Sequence, residues 1–138
     1  MNTNQKTTAM DRKVLLSTIW IFAVFNYLYC DVLSLMDSNL LKQYLTGTVN
    51  GMTFNQGYLL AAGILVEIYI AMVLLSRVLK YKANRWANII AGVIMTVVQI
   101  LTLFVGTPAM YYVFFSIIEI ASTALIVWLA WNWRNPES

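Results

Sequence analysis

Residues 57–79 read GYLLAAGILVEIYIAMVLLSRVL, an apolar stretch with a single carboxylate, Glu67, almost at its centre. A membrane-spanning helix needs about 20 largely apolar residues, and residues 14–36, 87–106 and 111–133 meet that requirement too. The composition agrees, because 60% of the 138 residues are hydrophobic and 11% are charged, against about 25% charged in soluble domains. The sequence predicts an all-α membrane protein, a bundle of four transmembrane helices.

The connections between these spans differ in length and in charge. Residues 37–56 form the longest loop, and within it DSNLLKQYLTG is predicted to form a short helix that Asp37 or Ser38 caps and Gly47 ends. Residues 80–86, KYKANRW, are predicted to form a short basic turn, and residues 107–110, TPAM, a tight turn at Pro108. Residues 14–136 are therefore expected to be one four-helix transmembrane domain that follows a polar segment, residues 1–13.

Lysine and arginine predict the orientation of the bundle. Eight of the nine lie on one side of the predicted membrane, and Lys42 in the loop 37–56 is the exception. Because positive charge is retained in the cytoplasm, both termini are expected to be cytoplasmic, an N-in/C-in arrangement that makes the 37–56 loop external. The first span is expected to stay uncleaved, because no small-residue cleavage site follows a short apolar core. We expect a multi-pass protein of a prokaryotic cytoplasmic (inner) membrane.

Several kinds of chemistry are excluded by residue counts. The chain has no histidine, so imidazole metal ligands and histidine acid–base catalysis are absent, and its one cysteine cannot form an intrachain disulfide. No phosphate-binding loop and no pair of nucleophile and base is visible. No cofactor is expected, and any metal ion is left open. The basic segment 80–86 is interpreted as an anionic-lipid contact, and binding of nucleic acid is not expected.

Each predicted span carries a strongly polar side chain near the middle of the membrane. At a rise of 1.5 Å per residue, Asn26 and Glu67 lie near the centres of their spans. Gln99 and Glu119 then lie about 4–5 Å toward the outer side, and Asp31 about 8–9 Å. The five groups are thus predicted to share one layer, between the midplane and the outer third of the membrane.

Helical spacing places these groups on stripes of small and polar residues. Such stripes usually face other helices and avoid lipid, so four of them predict a bundle with a polar interior. The stripes are Tyr27, Asp31 and Ser34; Gly63, Glu67 and Ala71; Gly92, Thr96, Gln99, Thr102 and Gly106; and Ser116, Glu119, Ser122 and Thr123.

Three carboxylates at this depth need an explanation, because a charged side chain at the centre of a span costs about 2.5–3.5 kcal/mol. No lysine or arginine is predicted at the depth of Asp31, Glu67 and Glu119. The carboxyl groups can be protonated, or can share protons among themselves and with Asn26 and Gln99. They can also hold a cation from outside, either a metal ion or an organic amine. Alternatively, they only cross-link the helices by hydrogen bonds, which are worth about 0.6–2 kcal/mol each.

Four segments resemble a known family: FNYLYCDVLSLMD (25–37), KYKANRWANIIAG (80–92), FSIIEIA (115–121) and IVWLAWNW (126–133). The family consists of small four-span prokaryotic integral membrane proteins of unknown function, and the resemblance runs from about residue 12 to 136. It implies the four-span fold and implies no activity.

Three functions are therefore compared. The favoured hypothesis is an intramembrane site for a proton, a cation or a small cationic ligand, in a protein that is also a candidate proton-coupled transporter. Tyr27 joins the carboxylates and amides as a site residue, and Tyr27, Tyr69 and Trp20 are expected to supply aromatic walls for an organic cation. A homodimer would provide the helices that alternating access needs. The alternatives are a non-catalytic structural or accessory subunit, bound to lipid and partner helices, and an intramembrane lipid enzyme that uses Glu67 and Glu119, which is disfavoured.

Overall fold

The computed structural model describes the backbone of residues 3–135 and, within that range, every side chain outside residues 5–11. The predicted limit of the domain at residue 136 lies outside the described residues. The elements are helices α1 (Thr3–Met36), α2 (Ser38–Thr46), α3 (Gln56–Val78), α4 (Tyr81–Thr102) and α5 (Met110–Trp131), with strands β1 (Thr48–Val49) and β2 (Met52–Thr53).

Four of the described helices are long and apolar enough to cross a membrane: α1 from Arg12 onward, α3, α4 and α5. The predicted all-α fold with four spans is confirmed. The chain is a multi-pass membrane protein by the length and composition of these helices.

Two helix starts differ from the sequence prediction. Helix α1 begins at Thr3, well before residue 14, because no glycine or proline interrupts the polar segment that precedes the span. Helix α4 begins at Tyr81, so the predicted basic turn 80–86 is wrong and the connection is only Leu79 and Lys80. The polar residues at the start of α4 have the composition of a loop, but their intrinsic helix propensity is adequate.

The segment between α1 and α3 contains the predicted short helix. Asp37 caps α2 by accepting from the backbone N–H groups of Asn39 and Leu40, and Gly47 ends it in the left-handed region at φ +76°. A two-stranded hairpin follows, which was not predicted. Its turn is Asn50–Gly51, with φ values of +48° and +81°. Asn-Gly is the pair that a type I′ hairpin turn favours, so the signal was present in the sequence.

The four long helices form a bundle in which each contacts its neighbours along the chain, and α5 closes the ring against α1. Helices α4 and α5 approach each other closely at Gly92, where an added Cβ would lie 2.6 Å from Val127 Cγ2. We call the end that holds the N-terminus of α1 and the C-terminus of α5 the basic end, and the opposite end the loop end. The apolar core between the helices consists of Leu16, Trp20, Ala23, Tyr69, Met72, Ala91, Met95, Ile126, Leu129 and Trp133.

At the basic end, two arginines bind the C-terminus of α5. Arg12 Nη1 donates to Leu129 O at 3.2 Å, and Arg85 donates to Ala130 O and Trp131 O at 3.1 and 3.0 Å. The last carbonyls of a helix carry partial negative charge and lack partners within the helix. The arginines satisfy these carbonyls and tie α1 and α4 to α5.

Candidate ligand-binding cavity

A cavity of about 130 Å³ lies among the four long helices, in the half of the bundle toward the loop end. Four of the six predicted site residues line it: Tyr27 and Asp31 from α1, Gln99 from α4 and Glu119 from α5. The rest of its wall is Cys30, Tyr58, Ala62, Leu65, Val66, Tyr69, Met95, Val98, Thr102 and Tyr112. The polar stripes of α1, α4 and α5 therefore converge.

Two polar atoms of residues in this wall are buried and have no hydrogen-bond partner within the part of the chain that the structure describes: Tyr69 Oη and Glu119 Oε2. Tyr69 is 0% and Glu119 is 1% exposed. A buried polar group without a partner costs about 1–3 kcal/mol, more when it is charged, and such groups are rare in folded proteins. Both residues line the cavity, so hydrogen-bonding groups there are left unused by the described residues.

Gln99 is held in place by α5. Its Nε2 donates to Ser116 Oγ at 2.8 Å, and both side chains are buried. One turn away, Thr96 Oγ1 lies 2.7 Å from Thr123 Oγ1, a second polar link between α4 and α5. These links fix the position of Glu119, because Ser116 and Thr123 join its helix to α4 before and after it in the chain.

The aromatic side of the cavity comes from α1 and α3. The rings of Tyr27 and Tyr69 lie 5.7 Å apart, centroid to centroid. Trp20 packs edge-on against Tyr69 at 5.6 Å but does not line the cavity. Of the three aromatic side chains expected from the sequence to line the site, Tyr27 and Tyr69 do so, and Trp20 packs behind Tyr69. Asp31 lies on the wall with its side chain exposed, so it is the more accessible of the two cavity carboxylates.

Glu67 and Asn26 do not line the cavity. In α3 the cavity residues are Ala62, Leu65, Val66 and Tyr69, and at 100° per residue Glu67 is turned roughly 150° from the centre of that stripe. Its side chain is exposed on the outer face of the bundle. The predicted inward stripe of Gly63, Glu67 and Ala71 is therefore wrong, because α3 buries the face with Tyr69. The Asn26 amide donates to Phe22 O of its own helix at 2.8 Å.

A larger vestibule of about 340 Å³ adjoins the cavity on the loop-end side and shares Tyr58, Thr102 and Tyr112 with it. Residues of α2 and of the hairpin line its far side, among them Gln43, Tyr44 and Asn50. Burial raises the pKa of Tyr44, and the charge of the Asp31 carboxylate raises it further. The loop between α1 and α3 thus covers an approach to the cavity.

A second polar cluster, which the sequence analysis missed, lies toward the basic end. Asn88 Oδ1 accepts from Trp20 Nε1 at 2.7 Å and from Ser76 Oγ at 3.1 Å, and Asn88 Nδ2 donates to Asn84 O and Oδ1. Asn84 in turn donates to Ser76 O and Leu79 O at the end of α3. All these side chains are fully buried. The spacing of the two asparagines, four residues apart in NRWAN, was the available signal.

The chemistry of the cavity follows from its two carboxylates and its tyrosines. Among the residues that the structure describes, no lysine or arginine lines it, and no three Cys, Asp or Glu side chains are grouped to hold a metal ion. Carboxylates paired with aromatic faces attract organic cations. The same carboxylates can exchange protons.

Comparisons with known proteins identify a family and no function. A family described as a family of unknown function (DUF6326) matches residues 6–138. Neither the curated proteins nor the solved structures give a match. Since the family match covers nearly the whole chain, including every residue of the cavity, the chain belongs to the family of unknown function DUF6326.

Proposed function

We propose that the protein binds a small organic cation in the cavity formed by Tyr27, Asp31, Tyr69, Gln99 and Glu119. The observation that carries this proposal is that Tyr69 Oη and Glu119 Oε2, both buried and without partners, line the same cavity. A guest with an N–H donor and a positive charge would satisfy both atoms. No basic side chain of the described residues competes for the site.

The volume of the cavity limits the guest. An engineered apolar cavity of about 150 Å³ binds benzene, so about 130 Å³ suits a ligand of roughly six non-hydrogen atoms. A short primary amine or diamine fits this description. The tyrosine rings would contact its methylene groups or its ammonium face, and the carboxylates of Asp31 and Glu119 would neutralise its charge.

Proton coupling follows from the same carboxylate. Glu119 neutralises an ammonium group only when it is ionised, and its carboxylate can also take up a proton. A proton and an amine therefore compete for one group, which is the basic requirement of proton-coupled exchange. We therefore extend the proposal to proton-coupled transport of the amine across a prokaryotic cytoplasmic membrane, with the vestibule as the entrance.

The proposal is tested by thermal unfolding of the purified protein with a panel of short amines, alkali-metal ions and divalent ions. We expect amines to stabilise the wild type, by about 2.7 kcal/mol at a hundredfold excess over the dissociation constant. Glu119→Gln should strongly reduce this stabilisation, because the amide cannot neutralise the ammonium group and only Asp31 remains to do so. Tyr69→Phe should weaken it, because the hydroxyl no longer accepts from the guest.

Glu67→Gln is the matched control, since it makes the same chemical change on the outer face of α3. It should retain the full response to amines. The proposal is wrong if no amine stabilises the wild type, or if Glu67→Gln removes the response as completely as Glu119→Gln does.

The second candidate is a structural or accessory subunit, and the Asn84–Asn88 cluster favours it. That cluster links α1, α3 and α4 with its hydrogen bonds satisfied, so polar groups in this bundle can serve packing alone. For this function, Glu119→Gln and Tyr69→Phe would change stability equally with and without amines.

A further inference from the structure

The outer face of α3 carries a carboxylate where a membrane helix normally meets lipid. This face, which we call the Glu67 face, lies on the side of the helix opposite Tyr69. Most of its side chains are exposed and apolar, so the residues around Glu67 on this face are aliphatic. The Glu67 face consists of Leu60, Gly63, Ile64, Glu67, Ala71, Leu74 and Val78.

Glu67 has no hydrogen bond or ion pair within the part of the chain that the structure describes. It lies near the middle of the span Gln56–Val78. Ionisable side chains at this depth almost always face a bundle interior or an aqueous cavity, because exposure to lipid is costly. The bundle of one chain therefore leaves uncovered a group that the membrane would strongly disfavour.

Gly63, one turn from Glu67, also lacks an explanation within the single chain. An added Cβ would meet nothing within 4 Å, and its φ is not in the left-handed region. Glycine in a helix is less favourable than alanine by about 1 kcal/mol, so the fold of this chain gives no reason for it. Small residues on a membrane helix allow another helix to approach closely. Gly63 and Ala71 lie four residues before and after Glu67, so a small residue flanks Glu67 on each side of the same helix face.

We propose that the Glu67 face is the interface of a parallel homodimer, in which α3 packs against α3 of a second copy. Copies inserted in the same orientation are related by a two-fold axis along the membrane normal, so a residue at the axis meets its own counterpart at the same depth. The two Glu67 carboxyl groups then hydrogen-bond to each other, which requires that at least one carries a proton. Gly63 allows the backbones to approach.

A second copy fits this face better than other occupants. A lipid headgroup lies about 15 Å from the middle of the membrane, half of the 30 Å hydrocarbon core, and so cannot reach Glu67. A protein of different sequence would need its own polar group at the same depth. The second copy supplies one without any further assumption, and a single contact removes both exposed carboxyl groups from lipid.

The test measures the monomer–dimer equilibrium of the full chain by sedimentation equilibrium in density-matched micelles, over a range of protein-to-detergent ratios. Gly63→Leu should obstruct the approach of the helices without disturbing the monomer, because the site is open. Glu67→Leu removes the polar pair, whereas Glu67→Gln keeps a donor and an acceptor. Ala121→Leu is the matched control, a small-to-large change on the exposed face of α5.

We expect a wild-type dimer whose dissociation constant rises about tenfold or more in Gly63→Leu and Glu67→Leu. Glu67→Gln and Ala121→Leu should stay within about threefold of the wild type. A wild type that is monomeric at every ratio overturns the proposal, as does an equal loss in Gly63→Leu and Ala121→Leu. The purified wild type could be monomeric while the protein in native membranes belongs to a larger complex that Glu67→Leu disrupts. That result would also overturn the homodimer and would assign the face to a different protein.

Discussion

The side chain of Asn88 links three helices by hydrogen bonds. Its Oδ1 accepts from Trp20 of α1 and Ser76 of α3, and its Nδ2 donates to Asn84 of α4. Each of these groups is buried, so each depends on Asn88 for a partner. In the other half of the bundle, Tyr69 Oη and Glu119 Oε2 are also buried, and no described residue gives them a hydrogen-bond partner.

Replacement of Asn88 tests this dependence. Asn88→Ala should lower the free energy of unfolding by about 2–4 kcal/mol, because the Trp20 N–H and the Ser76 hydroxyl lose their common acceptor. Chemical unfolding in micelles measures the change. Asn26→Ala is the control, since that amide bonds only to its own helix, and it should cost less than about 1 kcal/mol. Equal losses in the two variants would contradict the role of Asn88 as the common partner.

At this scale the sequence predicts depth well and rotation poorly. Counting along each helix predicts similar depths for Asp31, Gln99 and Glu119, and these three residues line one cavity. Rotation depends on which stripe of a helix is buried. In α3, the small and polar residues Gly63, Glu67 and Ala71 have the spacing of a stripe that faces the bundle interior. The stripe that contains Tyr69 packs against the other helices instead. Only the packing of the neighbours resolves this choice.

The elements of the loop end follow local rules of the backbone. Asp37 begins α2 and Gly47 ends it, as the sequence predicts, because caps act within a few residues. The hairpin at Asn50–Gly51 obeys an equally local rule and was predictable. The start of α4 was not predictable in this way, because a basic polar segment has the same composition in a loop and in an exposed first turn of a helix.

The contact between α4 and α5 at Gly92 gives a prediction at the scale of the element. Gly92→Ala should lower the free energy of unfolding by about 1–3 kcal/mol, because the new Cβ would lie 2.6 Å from Val127 Cγ2 and 3.3 Å from Thr123 O. Unfolding in micelles measures it. Adding Val127→Ala removes the nearer neighbour and should restore most of the loss. A Gly92→Ala variant as stable as the wild type would show that the helices separate at little cost.

For the whole molecule, the distribution of charge and the bundle agree on which ends belong together. The N-terminus of α1, the α3–α4 connection and the C-terminus of α5 meet at the basic end, where Arg12 and Arg85 bind α5. This is the end that the sequence predicts to be cytoplasmic. The loop end carries α2, the hairpin and the vestibule.

The orientation is tested with single cysteines in a Cys30→Ala background. Ser38 of α2 and Lys82 of α4 are both exposed and lie at opposite ends of the bundle. Because positive charge stays in the cytoplasm, we expect a membrane-impermeant maleimide to label Ser38→Cys in intact cells. Lys82→Cys should be labelled only after the cells are permeabilised. The reverse pattern would contradict the N-in/C-in arrangement.

The vestibule above the cavity has a consequence for the electric field across the membrane. In the proposed orientation, with the loop end outside, water in the vestibule would bring the outer electrolyte to the neighbourhood of Asp31, and the insulating part of the molecule would be the packed half around Trp20, Met72 and Asn88. The membrane potential would then fall mainly across that half. A cation at the proposed site would have crossed little of the voltage from the loop end, whereas passage to the basic end would cross nearly all of it, about 2.3 kcal/mol per charge for each 100 mV.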